Sequence, residues 1–73
     1  MSEGDAEVLR EALDRLRKRD TFEEALGKVI RKRDMEFKEY IRLIGKVRDI
    51  SRKKKLTLPE AARHLVGELE GEH

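Results

Sequence analysis

Apolar residues along this chain recur at helical spacing, and no stretch shows the strict alternation of a half-buried strand. Ala6, Leu9, Leu13 and Leu16 step by three and four, with Val8 and Ala12 beside them. They form one amphipathic stripe and predict a first helix over about residues 5–19. Two capping boxes mark further helix starts. In Thr21-Phe22-Glu23-Glu24 the threonine hydroxyl can accept an orphan amide of the first turn, while Glu24 reaches back to the Thr21 amide. Thr57-Leu58-Pro59-Glu60 repeats the device, with Pro59 in the first turn, where a missing N–H costs nothing. The last helix carries Leu58, Ala62, Leu65 and Leu69 and is predicted over about 58–70, stopping near Gly71.

Between the two boxes lies the longest periodic segment. Its stripe reads Phe22, Leu26, Val29, Ile30, then Phe37, Tyr40, Ile41, Ile44, Val47 and Ile50. Arg31-Lys32-Arg33-Asp34 interrupts it without an apolar residue, so a break with Asp34 capping a new helix is one reading. The other is continuity, because Ile30, Phe37 and Ile44 keep a seven-residue step across the gap, as do Leu26, Arg33, Tyr40 and Val47. A loop would normally scramble that phase, so continuity over 21–54 is preferred. Such a rod would be about 51 Å long. The predicted fold is therefore all-α, with three helices in short–long–short order. Two short helices cannot cover so long a partner, and its uncovered apolar side chains would be penalised at ~25 cal/mol per Å². A homodimer is expected to cover them, with long helices packed in a bundle and Leu26, Ile30, Phe37, Tyr40, Ile44 and Val47 at the dimer interface.

Composition narrows the function classes. At 73 residues and 8.6 kDa the chain makes one domain with a small core. Cysteine is absent, which excludes disulfides, thiolate nucleophiles and Cys-ligated metals. No apolar run approaches the ~18 residues of a membrane span, and the acidic start Met1-Ser2-Glu3-Gly4-Asp5 is unlike a signal peptide, so a cytoplasmic protein is expected. Asn and Gln are missing while charged residues reach 47%, the bias of a thermophilic source.

Candidate chemistry is sparse. Ser2 and Ser51 are the only serines and His64 and His73 the only histidines, and nothing marks the nucleophile–base–acid relay that serine catalysis needs. No enzymatic activity, cofactor or small-molecule substrate is expected. Glu60, His64 and Glu68 step by four along one helical face, a spacing that can hold zinc. The simpler reading makes Glu60 a cap and His64 a neighbour of its own helix, so no metal is expected. Gly27 and Gly45 lie inside helical pattern at a cost of ~1 kcal/mol each relative to alanine, for which close helix–helix approach is the expected compensation. Arg33 falls on the apolar stripe. It would either receive a small anion inside the bundle or, as preferred, pair with Asp34 or Glu36 of a neighbouring helix and set register.

Charge is segregated: residues 1–14 carry −4, residues 15–55 carry +9 and residues 56–73 carry −3. Either one face is positive, or neighbouring helices neutralise each other. The basic clusters are Arg15-Leu16-Arg17-Lys18-Arg19, Arg31-Lys32-Arg33, and Arg48 with Arg52-Lys53-Lys54-Lys55. Arg48, Arg52 and Lys55 share a helical face, to which Arg42 or Lys46 is expected to add. Phosphate contact needs little more than such a row, because each neutralised phosphate releases counterions. Arg31, Lys32, Arg48, Arg52, Lys53, Lys54 and Lys55 are the candidate DNA- or RNA-binding residues, in a regulatory or architectural role. Without Asn or Gln, base reading would fall to arginine, so weak sequence preference is expected. The alternative is an adaptor that docks another protein through its apolar stripe.

Leu56-Thr57-Leu58-Pro59-Glu60-Ala61-Ala62-Arg63-His64-Leu65-Val66-Gly67 resembles the first helix of many helix-turn-helix regulators. The resemblance covers twelve residues, and only six follow Gly67, which leaves no recognition helix after it. The short–long–short order also resembles the histone fold, whose dimers bind DNA without base contacts.

Overall fold

The computed structural model describes residues 2–17 and 19–71. Lys18 of the first basic cluster and His73 lie outside the described residues. The chain folds into four helices, α1 (Ser2–Asp14), α2 (Phe22–Lys32), α3 (Phe37–Lys54) and α4 (Leu58–Gly71), with only turns between them among the described residues. The all-helical expectation holds. The count of three does not, and the short–long–short order behind the histone likeness disappears with it.

Both capping boxes form. Thr21 N–H donates to Glu24 Oε1 at 3.1 Å, and Glu24 N–H donates to Thr21 Oγ1 at 3.1 Å. At α4 the corresponding distances are 2.9 Å for Thr57 N–H to Glu60 Oε1 and 3.3 Å for Glu60 N–H to Thr57 Oγ1. These motifs are local in sequence and therefore readable from it. α1 ends at Asp14, short of the predicted Arg19. Leu16 leaves the helix and lies half-buried against the core.

The predicted 34-residue rod is broken at its apolar-free stretch. Arg33 ends α2, and Asp34 follows in the left-handed region at φ 57°. Asp34 N–H donates to the Arg31 carbonyl and Met35 N–H to the Ile30 carbonyl, each at 3.0 Å. This pair of bonds is a Schellman closure, and Met35 and Ile30 border the same cleft. Asp34 thus closes α2 instead of capping α3. The N-cap of α3 is Glu36, which makes no side-chain capping bond. Basic last turns at both Arg31-Lys32 and Arg52-Lys53-Lys54 offset the partial negative charge of the helix ends.

Folding back at Asp34 solves the burial problem within one chain. The molecule measures 29 × 27 × 20 Å, and a ~51 Å rod does not fit such dimensions. Its radius of gyration of 11.3 Å matches the about 11 Å expected of a compact 73-residue domain. Val8, Leu9 and Ala12 of α1 meet Phe22, Ala25, Leu26, Val29 and Ile30 of α2, Leu43, Ile44 and Val47 of α3, and Ala61, Ala62, Leu65 and Val66 of α4. The predicted dimer interface is corrected accordingly. Leu26, Ile30, Ile44 and Val47 are buried in the chain's own core and are not available to a second copy, and the bundle needs no partner chain to bury them. Only Phe37 and Tyr40 of that set reach the surface. The seven-residue step that joined Ile30, Phe37 and Ile44 was a coincidence of two separate helices: its outer members are buried, and its middle one is exposed.

α1 packs most extensively on α4 and then on α2. α3 packs on α4, and the α2–α3 seam is thinner than these three. No helix among the described residues is long and apolar enough to cross a membrane.

Candidate nucleic-acid interface

The acidic first helix lies against the basic middle of the chain. Glu11 is the centre of this contact. Its carboxylate accepts from Lys32 Nζ at 2.7 Å, Arg33 Nε at 2.9 Å and Arg15 Nε at 3.2 Å. These donors, Lys32 foremost, hold the Glu11 carboxyl below its ordinary 4.5, at about 2. A second bridge joins α1 to α3. Arg42 Nη1 and Nη2 donate to the two oxygens of Asp5 at 2.9 and 2.8 Å, and Nη2 also donates to Glu39 at 2.6 Å. The Arg42 hydrogen bond lowers the Asp5 pKa, and the Asp5 carboxylate in turn raises that of Arg42. Arg10 pairs with Glu70 across α1 and α4, and Arg48 with Glu23 across α3 and α2.

Arg33 therefore sits at the exposed end of α2, paired with Glu11, not inside the apolar stripe and not with Asp34 or Glu36. No polar side chain is buried among the described residues, so no bundle-interior anion site exists around it. Ser51 donates its hydroxyl to the Leu56 carbonyl at 2.6 Å and thereby closes α3. Glu60 is engaged by Thr57, and His64 Nε2 lies 3.3 Å from Glu68 Oε2. Among the described residues no three His, Asp or Glu side chains gather as metal ligands.

The seven candidate basic residues divide in two. Lys32 is taken by Glu11, Arg48 by Glu23 and Lys53 by Asp49 at 3.3 Å. Arg31, Arg52, Lys54 and Lys55 are exposed and form no ion pair with another described residue. Arg42 turns away from Arg48 and Arg52 toward Asp5, so it does not join their row.

A feature that sequence reasoning missed in part lies along the flank of α3 that borders α2. Phe37, Ile41, Arg48, Arg52 and Lys55 follow at steps of four, seven, four and three, and all five are exposed. This spacing places the first four on one ridge about 22 Å long, apolar at its start and cationic at its end, with Lys55 just beyond it at the left-handed cap. Phe37 is 69% and Ile41 52% exposed, the two large apolar side chains left open among the described residues. The Phe37 ring stacks on Tyr40 with centroids 5.5 Å apart and an interplanar angle of 20°. Beside it a shallow cleft along the thin α2–α3 seam is lined by Gly27, Ile30, Arg31, Met35, Phe37 and Tyr40. The cationic part of the ridge is legible in sequence, but the exposure of Phe37 and Ile41 that extends it is not.

Gly27 and Gly45 do not serve close packing within the chain, contrary to expectation. A Cβ added at either would meet nothing within 4 Å. Compared with known proteins, the chain matches no family model, no curated protein and no solved structure.

Proposed function

We propose that this protein binds nucleic acid through the exposed flank of α3, in a regulatory or architectural role. The observation that carries the reading is the division of the basic residues. Arg52, Lys54 and Lys55 at the end of α3, with Arg31 of α2, keep their charge unmatched by carboxylates of the described residues, whereas Lys32, Arg33, Arg42 and Arg48 are neutralised by neighbouring helices. Lys32, Arg48 and Lys53 are second-rank contacts because each would have to leave or share an acidic partner. Contact to phosphates supplies affinity, and the lack of Asn and Gln leaves little means of base reading.

Titration against a DNA single strand and a duplex at several salt concentrations tests this. Four neutralised phosphates give a log–log salt slope of about −2.8 on a single strand, a roughly 50-fold loss between about 50 and about 200 mM salt. Arg52→Glu with Lys54→Glu weakens binding to both forms. Absence of binding at about 50 mM salt overturns the proposal. The exposed pair Phe37 and Ile41 favours the rival reading, a protein-docking adaptor. A partner that co-purifies and protects Phe37 and Tyr40, with no salt-dependent binding of polyanions, would establish it instead.

A further inference from the structure

We infer that the nucleic acid is single-stranded and that Phe37 is a platform on which one of its bases stacks. The inference rests on the reading of α3 given above and names its ligand more narrowly. Three observations bear on it. Among the described residues Phe37 is the most exposed large apolar side chain, and apart from Ile41 the other large apolar side chains are buried or half-buried. Its ring is braced by Tyr40 at 5.5 Å, so the orientation is set before a ligand arrives and less freedom is lost on binding. The same ridge continues into Arg48, which is shared with Glu23, and Arg52, about 16 and 22 Å further along the helix, with Lys55 at the left-handed cap just beyond. Arg31 borders the cleft beside the ring.

An aromatic platform followed by a row of cations is what an unpaired strand requires. Bases stack on the ring whatever their identity, and the backbone runs along the positive charges. A duplex can use the cations but not the ring, because its bases already stack on one another. A docked amphipathic helix fits less well. It needs apolar anchors over successive turns of a groove, and beyond Ile41 this ridge offers Gly45, Arg48 and Arg52. Beyond Gly45 the ridge is cationic and matches a polyanion there, with Arg48 shared with Glu23.

The experiment measures fluorescence anisotropy of a labelled pyrimidine single strand and of a duplex of equal length, at about 50 mM salt. Strands of about 16 nucleotides exceed the usual site size of a small binding fold. Phe37→Ala should weaken single-strand binding by roughly 5- to 150-fold, the worth of one stacked base, and leave duplex binding within about twofold. Phe37→Tyr should restore it, and Ile41→Ala should have little effect. Thermal unfolding should be nearly unchanged in all three, because the side chains are exposed. If Phe37→Ala leaves single-strand affinity intact while the salt slope persists, the stacking assignment is overturned and the phosphate reading stands. If the unaltered protein binds neither form, both fall. If Ile41→Ala costs as much as Phe37→Ala and binding is insensitive to salt, the face belongs to an apolar protein partner and the inference is overturned.

Discussion

The ends of α2 and α3 are built alike and finish in opposite electrostatic states. Each closes with a left-handed residue, Asp34 or Lys55, and each carries a run of cations in and just after its last turn. At the end of α2 the neighbouring helix is α1, which brings Glu11 within 3 Å of both Lys32 and Arg33. At the end of α3 only Lys53 finds a carboxylate, that of Asp49 on its own helix. The difference lies in what each end faces. Basic residues counted along a chain are therefore a poor measure of charge available to a ligand, because a tertiary neighbour can cancel one cluster and spare another of the same composition.

The comparison depends on α1 being held against α2, and the most damaging test removes that support. Leu26 is fully buried among the residues joining these helices. Leu26→Ala should cost about 2–5 kcal/mol in urea unfolding, a large share of the total stability of so small a domain. The exposed Phe37→Ala should stay within about 0.5 kcal/mol. Equal losses at the two positions would contradict the assignment of inside and outside.

Next in size is Glu11→Gln, which should make the end of α2 resemble that of α3. The folded-state pKa of Glu11 lies below its ordinary value, at about 2 against 4.5. Its contribution to stability is therefore fully present above about pH 4.5 and is lost as pH falls toward about 2. Asp5, lowered by Arg42, acts in the same direction. Denaturant unfolding of Glu11→Gln should be less stable at neutral pH and flatter across that acid window than the parent. Release of Lys32 and Arg33 should also steepen the salt slope of single-strand binding by about 1.4 if both then reach phosphates. An unchanged pH dependence would show that the cluster around Glu11 does not persist in solution.

The smallest effect belongs to the open face itself. Gly45→Ala should stabilise the protein by about 0.5–1 kcal/mol, since alanine is the better helix former and its Cβ meets nothing within 4 Å. The gain is read from the midpoint of urea unfolding at unchanged slope. A loss would mean that α3 is more crowded on this side than the structure has it.

How far the candidate site could be read from sequence follows from the same contrast. The cations were visible as clusters, and mutual neutralisation of neighbouring helices was one of two outcomes the charge segregation allowed. Which cations would be neutralised was not visible, because Glu11 meets Lys32 and Arg33 across more than twenty positions. Phe37 was placed with Ile30 and Ile44 at a dimer interface because its seven-residue spacing from them held through the break. Periodicity reports which positions would share a face if the helix ran on, and it cannot report that the chain has turned.

By itself the sequence determined the helical class, the starts of α2 and α4 at Thr21 and Thr57, and a basic middle flanked by acidic ends. These follow from interactions within three or four residues and from composition, and the tertiary arrangement leaves them in place. The tertiary structure alone decided the turn at Asp34, the exposure of Phe37 and Ile41, and the partition of the cations into paired and free. A left-handed aspartate costs energy locally and is repaid by burying Ile30 and Ile44 in one core. That return comes from residues distant in sequence, and only the folded chain brings them together.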